Sequence, residues 1–415
     1  MEALNTSGPT VGAQHDKFVV STDEDVGALR RGVAEVAART LGTRAARAAL
    51  AATELGTNLL RHGAGGYVLV RPLVAGLELL AVDSGPGMPP GARTLGMVPH
   101  ASPSRGDPDG GDPDGGDPDG GDPDGGDPGR RPTKGLGVGL SAVRRAATVF
   151  DLYSTTRGGS APAGTVVLAR FLEGPPRPGW CRWGAVNVAI EEGGISGDGW
   201  AVSALPLLVS VLVVDGLGHG REAGLAAAAA VSAFGADPSA NLEELVRRAH
   251  EAMRPTRGGV LAVCSVNPEL GELRYGAIGN ISGMLLNDRT SQRLLGRDGI
   301  LGTSLVPPSP RVNSYPWSPG AVLVLASDGL RSSWDPLAYP GLLSHDPAVI
   351  AAVLQRDYGR PNDDATVLVV CDLRASNHLD VGAGNIPAIQ GETGQAAGAG
   401  QTEPPLLSGP ARTSA

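Results

Sequence analysis

The sequence predicts an α/β (α+β) fold with two domains, and three observations support this prediction. A chain of 415 residues is long enough to bury two hydrophobic cores. Valine- and leucine-rich runs that end abruptly in acidic residues and glycines, as in 207–220, are typical of buried strands. An alanine-rich run with helical spacing, 44–61, is typical of an amphipathic helix. We therefore expect sheet and helix layers on both sides of a proline-rich linker at 173–179.

Composition argues against several classes of function. The formal net charge of -9, with no evident basic face, argues against a nucleic-acid partner. No apolar run has the length of a membrane span and the N-terminus lacks signal-peptide features, so we expect no membrane partner and a cytoplasmic location. Cys181, Cys264 and Cys371 are an odd number of widely spaced cysteines, and we expect buried small side chains rather than catalytic thiols.

The run 207–220 has the features of a strand that leads to a site. Asp215 follows the apolar run, and the glycines at 216, 218 and 220 permit a tight turn that a ligand can approach closely. A helix is expected over 222–233. An Asp-Gly pair is also ordinary turn chemistry, so this run alone leaves both interpretations open.

The same pattern recurs at three further strand ends. Asp328 follows another Val/Leu strand, and Asp198 precedes one between two glycines. Asp363 and Asp364 lie where a third strand begins. Gathered carboxylate oxygens suit Mg²⁺ or Mn²⁺, and no Cys/His spacing here suits zinc. Two such ions can share one carboxylate and activate a water for in-line attack on phosphorus, which predicts metal-dependent phosphate hydrolysis.

Six short motifs follow one another in the C-terminal half: SGD at 196–198, VVDGLGHG at 213–220, TRGGVLAV at 256–263, GAIGN at 276–280, SDGL at 327–330 and NDDAT at 362–366. With these motifs, the region from about 180 to 373 resembles the SpoIIE-type branch of metal-dependent serine/threonine protein phosphatases. The resemblance implies a phosphatase β-sandwich flanked by helices, with two Mn²⁺ or Mg²⁺ ions and no phospho-enzyme.

The resemblance also implies roles for individual residues. Asp215 is the catalytic residue that bridges both metals. Asp363 is the better ligand candidate than Asp364 in a pattern aligned on Thr366, and both alternatives stay open. The implied metal ligands are Asp198, Asp215, the carbonyl of Gly216, Asp328, and Asp363 or Asp364.

The predicted helix at 44–61 carries two polar residues on one face. Glu54 and Asn58 are at i and i+4 and therefore project one turn apart. A carboxylate and an amide so placed can polarise a water and hold Mg²⁺ beside a triphosphate. Taken alone, the pair is more simply explained by two solvated residues on an ordinary amphipathic helix.

Two glycine-rich segments follow this helix. A predicted strand ends at Asp83 before Gly85 and Gly87. Three more glycines come just before another predicted helix, whose free N–H groups could cradle phosphates. These three are Gly135, Gly137 and Gly139.

The order E-x-x-x-N, D-x-G-x-G, K-G-L-G-x-G-L resembles the GHKL-type ATP-binding fold, and more narrowly the serine kinases of bacterial partner-switching systems. The resemblance implies an N-terminal ATP-binding α/β sandwich that binds ATP with Mg²⁺. It assigns Asn58 to Mg²⁺, Glu54 as catalytic base and Asp83 to the adenine amine. The other implied cofactor-binding residues are Gly85, Gly87, Lys134, Gly135, Gly137, Gly139 and Thr165. A histidine kinase is disfavoured because no H-box histidine domain precedes this set.

We expect two folded domains, at 17–172 and 180–373, and three segments outside their cores. The acidic Gly/Pro repeat at 106–129 interrupts the position of the ATP lid, and its composition cannot bury a core. The polar N-terminus, 1–16, and the tail, 376–415, are expected to be disordered.

Together the resemblances predict a kinase-like and phosphatase switch protein. Its expected partner is a phosphoserine or phosphothreonine regulatory protein, an anti-sigma-factor antagonist or a stressosome scaffold, with an anti-sigma factor as a further partner. In the alternative, the N-terminal domain only binds ATP or an anti-sigma partner as a sensor; Glu54 favours the kinase and the acidic insert favours the sensor. A third, weaker alternative is a regulatory chain with an inactive phosphatase.

Overall fold

Three antiparallel sheets organise the part of the chain that the computed structural model describes, which is residues 10–89, 136–159, 161–174, 179–287 and 290–375. One sheet lies in the N-terminal half, and the other two face each other in the C-terminal half. The predicted α+β class is therefore confirmed, whereas the finer GHKL assignment of the N-terminal half stays a prediction. In these ranges no helix is long and apolar enough to cross a membrane.

The N-terminal sheet is covered on one face by helices. Its strands, in spatial order, are β2 (Asp16–Val20), β3 (Gly66–Leu73), β4 (Gly76–Asp83), β6 (Gly164–Leu172) and β5 (Val149–Thr155). The helices are α1 (Asp23–Thr40), α2 (Ala45–His62) and α3 (Leu136–Ala146). Alternate residues such as Val68 and Val70 pack under these helices, while Leu69 faces the other way. Both faces of the sheet are thus buried, which explains its continuous apolar runs.

The start of α1 follows the capping chemistry that its sequence predicts. Thr22 accepts a hydrogen bond from the backbone N–H of Asp25, and the Asp25 carboxylate accepts one from the N–H of Thr22. This reciprocal pair is a capping box, which satisfies N–H groups that the first turn leaves without partners. The helix predicted at 44–61 is α2.

The C-terminal half contains a sandwich of two sheets. The first sheet has the order β1 (Thr10–Val11), β8 (Asp198–Leu205), β9 (Leu208–Gly216), β10 (Gly259–Asn267), β11 (Glu272–Ile278) and β14 (Asn313–Pro316). The second has the order β13 (Thr290–Leu294), β12 (Ser282–Asn287), β15 (Val322–Ala326), β16 (Ala365–Asp372) and β7 (Cys181–Val188). The core between them includes Trp200, Tyr275 and Leu323. The three cysteines are free and buried, as predicted.

Helices cover both outer faces of the sandwich. Helices α4 (Arg221–Ala236) and α5 (Leu242–Met253) pack on the first sheet. Helix α6 (Pro347–Tyr358) packs on the second sheet and also on the free face of the N-terminal sheet. Every residue from Pro347 to Leu354 is buried. A helix that is apolar all round must be covered on all sides, and α6 is covered because both halves of the chain pack against it.

A cluster of buried charges fixes this packing. Glu78, fully buried, accepts hydrogen bonds from Arg71 at 2.7 Å and from Arg170 at 2.6 Å. Arg170 also donates two hydrogen bonds to Asp346, which caps α6. Burial alone would raise the pKa of Glu78, but Arg71 and Arg170 hold this pKa well below its usual range. Because burying one of these charges without its partners is costly, the cluster favours a single arrangement of the two halves.

Residues 10–16 depart from the prediction of a disordered N-terminus at 1–16. Thr10 and Val11 pair with β8, and the N–H of Gly12 donates to the carbonyl of Trp200. His15 is buried against Glu78. This segment is ordered because it completes an edge of the first sheet, a partner that lies almost 200 residues away in the sequence. The predicted acidic insert at 106–129 and tail at 376–415 lie outside the described residues, as does most of the 173–179 linker.

Candidate functional site

Two predicted metal ligands lie opposite each other on neighbouring strands. Asp198 begins β8, Asp215 is the second-last residue of β9, and the two residues are direct partners in the antiparallel register. Like charges opposite each other on a sheet repel and destabilise it. The pair therefore needs either protonation or a cation.

The remaining predicted ligands come from the second sheet and reach the same edge. Asp328 follows β15, and Asp363 and Asp364 precede β16, its antiparallel neighbour. The hydroxyl of Ser327 donates to the Asp198 carboxylate at 2.7 Å and accepts the N–H of Thr366 at 2.9 Å. This hydroxyl ties the strand ends of the two sheets together. The structure thus brings all five predicted aspartates to one edge of the sandwich.

The two adjacent aspartates at 363 and 364 have different surroundings. Asp364 is buried, and its two carboxylate oxygens accept the backbone N–H groups of Ile190 at 2.7 Å and Gly197 at 2.6 Å. Its carboxylate therefore braces the loop that leads to Asp198. Asp363 is partly exposed, and the described residues offer its carboxylate no ion pair within 4 Å. Asp363 thus has the freer oxygens for a cation.

Burial and mutual repulsion raise the pKa values of three aspartates at this edge. Burial, followed by the charges of Asp198 and Asp328, raises the pKa of Asp215 to about 9. Burial and the neighbouring carboxylates raise the pKa of Asp198 to about 7, although the hydrogen bond from Ser327 opposes this rise. Burial and Asp328 also raise the pKa of Asp363. Neutral acid is favoured here because negative charges crowd together without compensation.

The donor set fits a hard divalent cation in its chemistry. Its ligands are all oxygen, from four carboxylates and the carbonyl of Gly216, which suits Mg²⁺ or Mn²⁺. Within the described ranges, however, no three acidic, histidine or cysteine side chains are close enough together to hold a metal ion as they stand. The carboxylates are neighbours on one edge rather than a closed ligand shell, so their side chains would have to turn toward a shared ion.

The turn after Asp215 depends on its glycines. A β-carbon on Gly216 would lie 2.2 Å from the carbonyl oxygen of Ala223, so only glycine allows α4 to pack this closely. Gly218 and Gly220 have φ angles of 87° and 74°, which favour glycine. The guanidinium of Arg257 lies beside this turn, 3.4 Å from the β-carbon position of Gly218. Arg257 is exposed and forms no ion pair with a described residue.

A cavity of about 170 Å³ lies between α2, α3 and the N-terminal sheet. Its walls include four of the predicted nucleotide-binding residues: Asn58, Asp83, Gly87 and Thr165. Asp83 and Thr165 are direct partners on β4 and β6. Burial raises the pKa of Asp83, against the opposing hydrogen bond from the Gly85 N–H at 2.8 Å. Four of the predicted residues thus surround one common space.

The helix pair Glu54 and Asn58 lies beside this cavity. The side-chain nitrogen of Asn58 is buried and donates to no described residue. A buried donor without a partner is costly and suggests that a ligand completes it. Glu54 does not line the cavity, but its carboxylate lies 2.6 Å from the β-carbon position of Gly139. Gly139 therefore keeps α3 close to both residues.

The predicted position of the glycine trio is wrong in one respect. Helix α3 begins at Leu136, so Gly137 and Gly139 lie inside its first turns rather than before it. The close contact with Glu54 explains why a helix accepts Gly139. Lys134 and Gly135 lie outside the described residues.

Three residues near these sites had no assigned role in the sequence interpretation. Ser327 sits in a quoted motif, and its position before Asp328 was the available signal. Arg257 also lies in a quoted motif. Arg356 carries no local signal, because its contact with Asp83 joins positions far apart in the chain.

Comparison with protein families identifies one match. The model of the stage II sporulation protein E family, SpoIIE, matches residues 208–335, which include Asp215 and Asp328. The match supports the expectation of a SpoIIE-type phosphatase domain in the C-terminal half. Comparison with curated proteins gives no significant match.

Several solved structures are similar to about half of the chain. One, described with the bacterial stressosome as a modular system adapted to control secondary messenger signalling, shares 29% identity at a TM-score of 0.43 and covers 46% of this chain and 98% of its own. RsbX in complex with magnesium shares 21% sequence identity with this chain at a TM-score of 0.41, and the match covers 48% of this chain and 98% of the RsbX chain. The PP2C domain of SpoIIE from Bacillus subtilis, with a fragment of its regulatory domain, shares 15% sequence identity at a TM-score of 0.39. This match covers 54% of the present chain and 71% of the SpoIIE chain.

Proposed function

We propose that the C-terminal half is a metal-dependent protein serine/threonine phosphatase. The observation that supports this function most is the acidic edge, where Asp198, Asp215, Asp328 and Asp363 meet from two sheets. The SpoIIE family match over 208–335 points to the same activity. When bound, a pair of divalent cations would activate a water and neutralise charge on the phosphoryl group.

The residues of this edge take distinct roles. Asp215, Asp198 and the carbonyl of Gly216 would hold the cations together with Asp328 and Asp363, and Asp215 is the ligand on which both cations would depend most. Asp364 positions the Gly197 loop, because both of its oxygens accept backbone hydrogen bonds, and the more exposed Asp363 is the proposed ligand. Arg257 faces the turn after Asp215, where a guanidinium can bind two phosphoryl oxygens of the substrate.

The substrate we propose is a phosphoserine or phosphothreonine regulatory protein of a partner-switching system. The proposed ions and Arg257 would bind only the phosphoryl group, so the rest of the substrate is recognised elsewhere on its surface. An anti-sigma-factor antagonist or a stressosome scaffold fits the expected class of partner.

The test is hydrolysis of a phosphoserine protein by the full chain with Mn²⁺. We expect phosphate release that requires Mn²⁺ and falls by on the order of 10³-fold in Asp215→Asn, more than the 10–100-fold typical for residues that only support a ligand. Asp298→Asn, which removes an exposed carboxylate, is the matched control and should retain activity. Equal activity of Asp215→Asn and wild type would refute the proposal.

The N-terminal half is proposed to bind an adenine nucleotide with Mg²⁺. The cavity lined by Asn58, Asp83 and Thr165 favours this second function, because the Asn58 nitrogen has no hydrogen-bond partner among the described residues. The carboxylate of Glu54 favours a kinase, whereas the acidic insert favours a sensor. The two are separated by incubating Asp215→Ala with radiolabelled ATP and a candidate antagonist protein. Label on the protein would establish a kinase, and its absence would leave nucleotide binding alone.

A further inference from the structure

The cavity and the acidic edge are both connected to the C-terminal end of α6. On the cavity side, Arg356 donates a long hydrogen bond of 3.4 Å to the carbonyl of Asp83. Its guanidinium also packs on Gly164, where a β-carbon would lie 2.6 Å from Nη1. Nearby, the hydroxyl of Tyr67 donates to Gln355 at 2.7 Å. Arg356 therefore contacts the strands that carry Asp83 and Thr165, and Gln355 contacts the neighbouring strand β3.

On the metal side, the residues that follow α6 hold the turn of Asp328. The N–H of Arg360 donates to the carbonyl of Gly329 at 2.7 Å, and Gly359 forms a β-bridge with Leu330. The N–H of Arg331 donates to the carbonyl of Tyr358 at 2.9 Å. The turn that carries Asp328 also packs against the segment that carries Asp364, since a β-carbon on Gly329 would lie 1.9 Å from the carbonyl oxygen of Asp364.

Arg356 itself is held firmly. Its side chain is 1% exposed and forms a two-bond pair with Asp357 at 2.7 and 2.8 Å. Asp357 also accepts a hydrogen bond from Tyr339 at 2.9 Å. A buried, fully paired guanidinium transmits a displacement because it cannot relax into solvent.

The opposite end of α6 is anchored. Its cap, Asp346, is bound by Arg170, and its backbone N–H donates to Asp151 at 2.7 Å. These contacts hold that end of α6 to Arg170, near the end of β6, and to β5, so a shift of the strand ends at Asp83 and Thr165 around a ligand would be taken up at the opposite end of α6, which adjoins Asp83 and Gly329. Packed interfaces respond to such shifts as discrete rearrangements rather than by gradual deformation.

We propose that occupancy of the N-terminal cavity by an adenine nucleotide controls the phosphatase through α6, with Arg356 as the positioning residue that connects Asp83 to the Asp328 turn. This inference rests on the proposed functions of the two halves. It makes the N-terminal half a regulatory domain of the phosphatase, in addition to any phosphate transfer that it performs.

The experiment uses the full chain and p-nitrophenyl phosphate, a small ester that needs no protein docking. Hydrolysis is measured at constant free Mn²⁺ with ADP, with a non-hydrolysable ATP analogue and with neither. We expect a change in kcat of at least about fivefold on saturation with one of the nucleotides, within the usual range of coupling between sites. Because coupling between binding free energies is reciprocal, the factor by which the nucleotide changes Mn²⁺ affinity should equal the factor by which Mn²⁺ changes nucleotide affinity.

The variants Arg356→Gln and Tyr67→Phe test the route. Each should retain nucleotide binding and a single cooperative melting transition, while the ratio of activities with and without nucleotide falls toward one. Arg247→Gln, which removes an exposed guanidinium on α5, is the control and should keep the wild-type ratio. Tyr67→Phe removes only a hydroxyl, so it remains informative if Arg356→Gln fails to fold.

Four other results of these experiments would each overturn a different part of the proposal. Nucleotide binding and Mn²⁺-dependent hydrolysis without mutual influence would overturn the coupling and leave both proposed functions intact. Hydrolysis without nucleotide binding would overturn the cavity assignment together with the coupling. Absence of hydrolysis would overturn the phosphatase itself. A nucleotide effect that persists unchanged in both variants would refute the route through α6.

Discussion

Two groups of buried carboxylates in this chain have opposite electrostatic surroundings. In the ion cluster at the base of α6, Glu78 and Asp346 are surrounded by Arg71 and Arg170, and the pKa of Glu78 is lowered. At the acidic edge, neighbouring carboxylates face one another, and the pKa of Asp215 rises to about 9. Charges that the protein itself compensates hold the structure together, whereas charges that it leaves uncompensated mark a site for a cation.

The largest effect is expected from removing the compensation in the ion cluster. Arg170→Met keeps the volume and removes the guanidinium, which leaves Glu78 and Asp346 short of a partner. We expect a loss of about 3–5 kcal/mol in the free energy of unfolding, measured by urea denaturation.

Two further variants sharpen this comparison. The exposed control Arg247→Met should cost about 0.5 kcal/mol or less. Adding Asp346→Asn to Arg170→Met should recover part of the loss, because Asp346 has no other arginine partner among the described residues, whereas Glu78 keeps Arg71. A loss below about 1 kcal/mol in Arg170→Met would show that the cluster is not a structural element.

A smaller effect is expected from removing the hydrogen bond that Ser327 donates to the acidic edge. Ser327→Ala removes the hydroxyl that orients Asp198 and accepts the N–H of Thr366. Residues that orient metal ligands typically contribute 10–100-fold to affinity or activity, so we expect a decrease of about that size in Mn²⁺ affinity. Ser333→Ala, an exposed serine nearby in sequence, should leave Mn²⁺ affinity unchanged. Equal affinities in the two variants would contradict the assigned role of Ser327.

The smallest effect is a difference in pH dependence. The raised pKa values of Asp198, about 7, and Asp215, about 9, mean that the folded chain binds more protons than the unfolded one between about pH 4 and 9. Without divalent cations, the free energy of unfolding should therefore fall as pH rises through this window. The lowered pKa of Glu78 acts at lower pH, where its stabilisation is lost on acidification.

Saturating Mn²⁺ separates the two groups in this measurement. The cation should remove the decline in stability between pH 5 and 9 and leave the acid limb unchanged. A decline that persists in Asp215→Asn without metal, with the same slope as in wild type, would mean that other groups cause it.

Local sequence patterns predict the elements that depend only on neighbouring residues. Apolar runs ending at Asp215 and Asp328, and the Thr22 cap of α1, predict elements from neighbouring residues, and the elements are present. Local pattern could not distinguish Asp363 from Asp364, because the difference lies in backbone N–H groups of a distant loop.

The parts that the sequence did not predict are contacts between distant segments. The PAVIAAVL run of α6 is apolar all round, which is typical of a helix buried on all sides. No residue in this run indicates that the N-terminal sheet is its second packing partner. The order of residues 10–16 likewise depends on an edge strand far along the chain.

The most direct test of the acidic edge is Mn²⁺ binding to the full chain in the absence of nucleotide, measured by equilibrium dialysis. We expect two ions per wild-type chain, a loss of tight binding in Asp215→Asn, and wild-type binding in Asp298→Asn. Wild-type binding by Asp215→Asn, or no binding by the wild-type chain, would contradict this expectation.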